Sequence, residues 1–236
     1  MEAVLLDWHE RHAADLPWRR RRDPYAVLVS EVMLQQTQVP RVVPRFERWM
    51  ERWPTVETLA AAGADEVILE WQGLGYNRRA VNLHRAAGAI AKHGWPDDLT
   101  TLPGVGEYTA AAIRRFAFDE RVLPLETNVL RVIERTGGSF SPAAAEALMD
   151  LGREVCLARI PRCEACPLAS DCPSRGRRYE PLRKQSRFEG SFRQRRAETL
   201  RLVAAGRTSG LDADAVASLE RDGLVEVRGG LARLPE

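Results

Sequence analysis

The chain has 236 residues, 44% hydrophobic and 29% charged, with a formal net charge of +2. That length holds one large domain, or two with a small appendage, and the composition is that of an ordinary globular protein. No apolar run approaches the ~20 residues of a membrane-spanning helix, and a near-neutral total does not by itself announce a polyanion partner.

Residues 4–14 read as a helix that Leu16-Pro17 ends. Residues 25–37 (YAVLVSEVMLQQT) are apolar on a helical period, interrupted by Glu31. Further helices are predicted over 43–52, 55–61, 65–72, 78–92, 108–118 and 128–135, the one over 78–92 stopped by Gly94 and Pro96. Ser141-Pro142 reads as an N-cap with Pro at the first helical position, opening a helix over 143–155. No strand is predicted before about residue 220, so residues 1–173 read as all-α. Residues 173–189 form a basic linker containing Pro and Gly. Beyond it lie helices over 193–205 and 212–221. Strands over 224–227 and 231–234 follow, joined across Gly229-Gly230, and the set suggests a small winged-helix module.

Charge is distributed unevenly. Arg19 to Arg22 form a basic run, and residues 175–201 are crowded with Arg and Lys. Most such runs are solvated faces, but two of them in a chain that also clusters its four cysteines between positions 156 and 172 strengthen the case for nucleic acid.

Cys156, Cys163, Cys166 and Cys172 are the only cysteines and form the pattern C-x6-C-x2-C-x5-C within 17 residues. Four thiolates this close can surround one cubane cluster or one zinc. The alternative is two disulfides, but the chain opens into charged helix with no signal peptide, which points to a reducing, cytoplasmic setting. Zinc usually takes two C-x2-C pairs, and only one is present, so the spacing favours an iron–sulfur cluster. Leu102-Pro103-Gly104-Val105-Gly106 separates two predicted helices. A Gly-x-Gly turn before a helix presents backbone N–H groups at the positive end of the helix dipole and can hold a phosphate. Such turns are common alone; some 50 residues ahead of the four-cysteine pattern this one carries weight.

With these motifs in this order, the chain resembles the helix-hairpin-helix DNA glycosylases that carry an iron–sulfur cluster, the endonuclease III superfamily, and within it the adenine glycosylases. The carriers are LPWR (16–19), PY..LVSEVMLQQTQV (24–39), GLGY (73–76), NLH.AA (82–87), LPGVG.YTA.AI (102–113), NV.RV..R (128–135), EALMDLG..VC (146–156) and the cysteine pattern. The resemblance implies an all-α fold, with a six-helix barrel domain over 23–128 and a cluster domain built from 1–22 and 129–175. A linker over 176–192 and the small module over 193–236 follow. It implies a 4Fe-4S cluster on Cys156, Cys163, Cys166 and Cys172, and a Na⁺ or K⁺ on the backbone carbonyls of Thr100, Leu102 and Val105. The implied partner is double-stranded DNA with a mismatched or damaged base pair, bound by a monomer away from membranes.

The resemblance also implies roles. Glu31 matches the glutamate that protonates the departing adenine; an acid in an apolar helix is costly unless it is paired or used, and burial favours the protonated form of a carboxyl. Glu126 stands where adenine glycosylases carry the aspartate of Asp-Gly-Asn-Val, here Glu126-Thr127-Asn128-Val129. That acid stabilises the oxocarbenium-like sugar or adds to C1′, and Asn128 matches the asparagine that orients it. A misplacement of ~1 Å can cost on the order of 10²-fold, so the extra methylene puts the rate in question. Tyr108 stands where bifunctional relatives carry a Schiff-base lysine, which implies a monofunctional glycosylase that leaves an abasic site. Leu16, Trp18, Arg19, Glu146 and Met149 match the adenine pocket. Gln35, Gln36, Thr37, Leu74 and Tyr76 match residues that enter the duplex and read the opposite base, while Gly104 and Gly106 match the phosphate-binding hairpin. Read without the family, Leu74 is equally a core residue and the glutamines a solvated face.

Three further departures stand out. Asn77 replaces the tyrosine more usual after Tyr76, the stretch 135–146 is short for the family, and the tail is too small for the 8-oxoguanine-recognition domain of full adenine glycosylases. The rival readings are a mismatch thymine or uracil glycosylase, against which Glu146 and Gln35-Gln36 argue, and a catalytically silent DNA-binding protein.

Overall fold

The computed structural model describes residues 1–180 and 187–236, and over these it is helical apart from one hairpin near its C-terminal end. Residues 181–186 of the basic linker lie outside the described residues. Among the described residues no helix is long and apolar enough to cross a membrane. The chain divides into two compact units: Met1–Val27 with Gly106–Lys184, and Leu28–Val105 with Gln185–Glu236.

In the first unit, α1 (Glu2–His12) buries Leu5 and Trp8. Leu16-Pro17 does more than end that helix: Pro17 starts a short second one, α2 (Pro17–Arg20). Proline's missing N–H costs nothing at a first helical position, where the donor has no partner in any case. α3 (Pro24–Leu34) begins in this unit and runs into the other. Every residue from Tyr25 to Met33 is buried, as expected of a helix apolar on all sides. After α3, the second unit supplies α4 (Val39–Arg52), α5 (Val56–Ala60), α6 (Ala64–Trp71) and α7 (Arg78–His93). α4 begins four residues earlier than its periodicity suggests, because Pro40 falls in its first turn, where it is tolerated. Trp49, Trp53 and Trp71 meet edge to face in this unit's core, with Trp49 and Trp71 centroids 5.6 Å apart.

The first unit resumes with α8 (Glu107–Phe116), α9 (Thr127–Thr136) and α10 (Ala145–Glu154), the last entered through a 3-10 turn at Pro142–Ala144. Ser141 precedes that turn as expected, but its backbone N–H and hydroxyl donate to Glu2 of α1. α1, α9 and α10 share one core of Leu5, Trp8, Val129, Val132, Leu148 and Leu151, with Cys156 and Cys166 packed at its edge. α9 and α10 approach closely at Gly152, where a Cβ would stand 2.6 Å from the Asn128 side chain and 2.9 Å from its carbonyl oxygen.

The C-terminal segment completes the second unit with α11 (Phe192–Ala204), α12 (Ala213–Arg221), β1 (Glu226–Arg228) and β2 (Leu231–Arg233). The strands are antiparallel, with Val227 opposite Ala232 and Gly229-Gly230 at the turn. A lone two-stranded ribbon is marginal in water. This one is held because Leu200, Val203, Leu219, Leu224, Val225 and Ala232 form one buried cluster with Ile68 of α6 and Val81 of α7.

Candidate active site

In the second unit, Glu31 is 7% exposed on α3, between Ser30 and Val32, which are also buried. Just past the end of that helix, Gln35 and Thr37 are half-buried and Gln36 is exposed. Leu74 is a core residue at 3% exposure, whereas Tyr76 stands out at 47%. The two segments are tied together by a residue that sequence reasoning did not single out. Arg79, buried on α7, donates through Nη1 to the carbonyls of Val32 (2.8 Å), Met33 (3.0 Å) and Gln35 (2.6 Å). Its Nη2 donates to Thr37 Oγ1 (3.1 Å) and to the carbonyls of Leu74 (3.3 Å) and Gly75 (2.9 Å). The guanidinium also lies over the Trp71 and Tyr76 rings. Burial lowers its pKa to about 10, which leaves it charged at neutral pH.

The hairpin places Leu102, Gly104 and Val105 at the end of a 3-10 turn (Leu99–Thr101) that Asp98 caps through the Thr100 amide. Gly104 has φ +80°, and a Cβ there would meet Asn82 at 2.9 Å, so glycine is required twice over. Gly106 then caps α8, and half-buried Tyr108 sits in that helix's first turn.

Glu126 is the N-cap of α9. Its Oε1 accepts a hydrogen bond of 3.1 Å from the Val129 amide, one of the donors that a helix start leaves unpartnered. Asn128 does not hydrogen-bond Glu126. Its Oδ1 accepts from Arg131, which also donates to the carbonyls of Gly152 (2.6 Å) and Cys156 (2.7 Å). Asn128 is thereby linked, through one guanidinium, to the start of the cysteine segment.

The five residues matched to the base pocket lie on or beside α2 and α10 of the first unit. Leu16 and Trp18 are buried, and Met149 packs at the core edge. Glu146 is engaged by both oxygens with Arg22 Nη2 (3.1 and 3.0 Å) and lies 3.5 Å from Arg19 Nε. Arg19 forms a two-pronged bond to Asp150 at 2.8 and 3.0 Å. Asp150, which sequence reasoning missed, is 1% exposed and also meets Arg153 (2.8 Å) and His9 Nε2 (3.2 Å). Burial pushes its carboxyl up, but the His9 and Arg19 bonds and the Arg19 and Arg153 charges outweigh this and hold it at about 2. The depressed value contributes stability above the ordinary aspartate range that is lost as pH falls through about 2, of order 2 kcal/mol. Asp150→Asn should therefore cost about 2–4 kcal/mol at pH 7. Urea unfolding should show that gap narrowing at pH 3; an equal gap at both pH values would rule out the ionic account.

The same contacts settle the basic run. Arg19, Arg20, Arg21 and Arg22 face Asp150, Asp15, Asp23 and Glu146 respectively, so the run is internally neutralised.

All four cysteines are free and line one pocket. The Gly176 amide donates to Cys163 Sγ at 3.3 Å, and Arg135 Nη1 lies 3.5 Å from Cys156 Sγ. Arg135 is fixed by the Leu157 and Ala158 carbonyls and by the Tyr179 ring, 3.7 Å from its guanidinium carbon. Burial, reinforced by the neighbouring thiols and opposed by the Leu168 amide, pushes the Cys166 thiol up. Among the described residues, no three His, Cys, Asp or Glu side chains are grouped to hold a single metal ion.

The pattern of the HhH-GPD superfamily, described as base excision DNA repair proteins, matches residues 29–156. The adenine DNA glycosylase of Mycolicibacterium smegmatis is 41% identical over 228 residues, covering 83% of this chain and 78% of that one. The adenine DNA glycosylase of Homo sapiens is 36% identical over 231 residues, covering 79% of this chain and 42% of that one. Among solved structures, a thermostable thymine-DNA glycosylase has a TM-score of 0.65 at 25% identity, covering 73% of this chain and 93% of its own. A trapped endonuclease III–DNA covalent intermediate shares the fold, with a TM-score of 0.62 at 23% identity over 73% of this chain and 92% of its own.

Proposed function

The chain belongs to the HhH-GPD superfamily of base excision DNA repair proteins and is a DNA N-glycosylase; on that premise we propose that its substrate is adenine mispaired with 8-oxoguanine or guanine in double-stranded DNA. The observation that carries this reading is a carboxyl, Glu31, buried in an otherwise apolar helix of a chain so similar to adenine glycosylases. The base leaves the stack to be reached. Glu31 donates its proton to the departing adenine, which takes the electron pair of the N-glycosidic bond. The Glu126 carboxylate stabilises the oxocarbenium-like sugar. Water adds at C1′, its proton returning to Glu31, and an abasic site remains. Tyr108 has no amine with which to form a Schiff base, so strand cleavage does not follow.

Leu16, Trp18, Arg19, Glu146 and Met149 form the base pocket in this reading. Glu146, pinned by Arg22, offers a fixed carboxylate to the exocyclic amine. Gln35, Gln36, Thr37 and Tyr76 face the opposite base, and the turn at Gly104 and Gly106 takes a phosphate. The carbonyls of Thr100, Leu102 and Val105 would hold a Na⁺ or K⁺ there. Cys156, Cys163, Cys166 and Cys172 would hold a 4Fe-4S cluster, which supplies a structural and DNA-docking element when bound. An all-thiolate donor set around one pocket, with N–H groups from Gly176 and Arg135 aimed at sulfur, suits that group. A tetrahedral zinc would draw all four sulfurs within ~4 Å of one another, whereas a cubane takes one thiolate per iron. A monomer in the reducing cytoplasm belongs to the same reading.

Single-turnover base release tests it, on duplexes carrying adenine opposite 8-oxoguanine, adenine opposite guanine and thymine opposite guanine. Release from the first two is expected. Thymine release without adenine release would give the chain to the mismatch thymine glycosylases, and binding without release would make it a silent DNA-binding protein.

A further inference from the structure

Arg79 is a buried cation with no carboxylate partner among the described residues; its partners are six carbonyls, the Tyr76 carbonyl at 3.4 Å from Nε included, and a hydroxyl. A guanidinium removed from water without a countercharge persists only where its N–H groups find oxygens. Those oxygens belong to two segments, one at the end of α3 and one between α6 and α7. Each segment holds a non-glycine residue in left-handed backbone, Gln36 with φ 55° and Tyr76 with φ 46°. Among the described residues only Asp119 shares that property. Such backbone is unfavourable for a residue with a Cβ and lasts where the surroundings impose it. Arg79 bonds the carbonyl immediately before each of them, those of Gln35 and Gly75. Both side chains are exposed.

We infer that Arg79 is the positioning residue for the duplex-entering side chains, holding Gln36 and Tyr76 outward in the geometry in which they meet the opposite base. This rests on the proposed assignment of those two segments to DNA reading. Pre-ordering both segments in the free protein removes the cost of ordering them on DNA. Lysine cannot replace arginine here, because a single ammonium with three donors does not reach seven oxygens on two segments.

The test uses the full chain and four proteins: parental, Arg79→Lys, Tyr76→Ala and the double variant. Three quantities are read at a temperature where thermal unfolding shows each protein folded. They are the single-turnover rate on adenine opposite 8-oxoguanine, affinity for a fully paired duplex, and fluorescence of a 2-aminopurine beside the mismatch, which brightens on unstacking. Arg79→Lys should lower the rate by roughly ten- to a hundredfold and suppress the brightening, with paired-duplex affinity unchanged. In the Tyr76→Ala background the same change should add less than about threefold, because both substitutions disable one device. Parental rate and brightening in folded Arg79→Lys would overturn the inference, as would factors that simply multiply in the double variant. Arg79→Gln removes the buried charge and serves under the same criteria where the lysine variant does not fold. If the parental protein brightens the probe but releases no base, the catalytic reading fails and the positioning role is judged on brightening alone. No brightening with any of the four proteins sinks the positioning role itself.

Discussion

Glu31→Gln should bind mismatched duplex as the parental protein does while releasing base roughly 10²–10⁴-fold more slowly, the usual range for loss of a positioned acid. The amide keeps the shape of the carboxyl and can hydrogen-bond, but it has no proton to give. α3 is buried from Tyr25 to Met33, so packing alone would have been met by one more aliphatic residue at position 31. A carboxyl retained there is retained against a desolvation cost. Removing its ability to ionise should, if anything, ease burial, so the melting temperature of Glu31→Gln should equal or exceed that of the parental protein. Activity and stability thus move in opposite directions, as expected of a residue kept for chemistry. Parental rates in this variant would remove Glu31 from the mechanism, and a lower rate together with a lower melting temperature would make it a structural acid.

Sequence patterns were most legible where one physical signal acts over a short distance. Apolar periodicity located the helices of both units except the four-residue α2, with ends differing by a few residues, and Gly229-Gly230 marked the hairpin turn. The cysteine spacing brought four thiols to one pocket. What stayed hidden was which charges meet. Arg19 and Asp150 are 131 residues apart, and nothing local to either helix says that the two pair. The run Arg19 to Arg22 looks like a basic surface until its four acidic partners are in place. Arg79 sits in a helix rich in Arg and Ala, and no periodicity distinguishes a guanidinium that collects seven oxygens from one that points to water. Leu74 shows the limit for single residues, since Gly-Leu-Gly-Tyr suits a buried leucine and an exposed one equally, and the fold buries it. Legibility fails where the partner is distant in sequence and the local pattern is compatible with both outcomes.

Glu126→Gln should release base at least ~10²-fold more slowly than the parental protein, the scale of a lost electrostatic stabiliser, whereas Glu126→Asp should stay within roughly tenfold of it. The contrast follows from the cap at the start of α9. An N-cap oxygen is placed by the amide it accepts from, here that of Val129, rather than by the length of the stem that carries it. An aspartate at this position would be held by the same Val129 amide, which sets the carboxylate of either residue at the start of α9. Aspartate is among the preferred N-caps, and Glu126→Asp should therefore fold at least as well as the parental chain. The positive end of α9 favours a negative charge at this position in either protein. Glutamine keeps the cap through its carbonyl oxygen but brings no charge to the developing cation. Single-turnover rates and mismatch affinity for the three proteins decide the matter. A collapse of the aspartate variant by more than 10²-fold would mean that the longer stem reaches past the cap to a site of its own. A glutamine variant at the parental rate would leave Glu126 as a helix cap and nothing more.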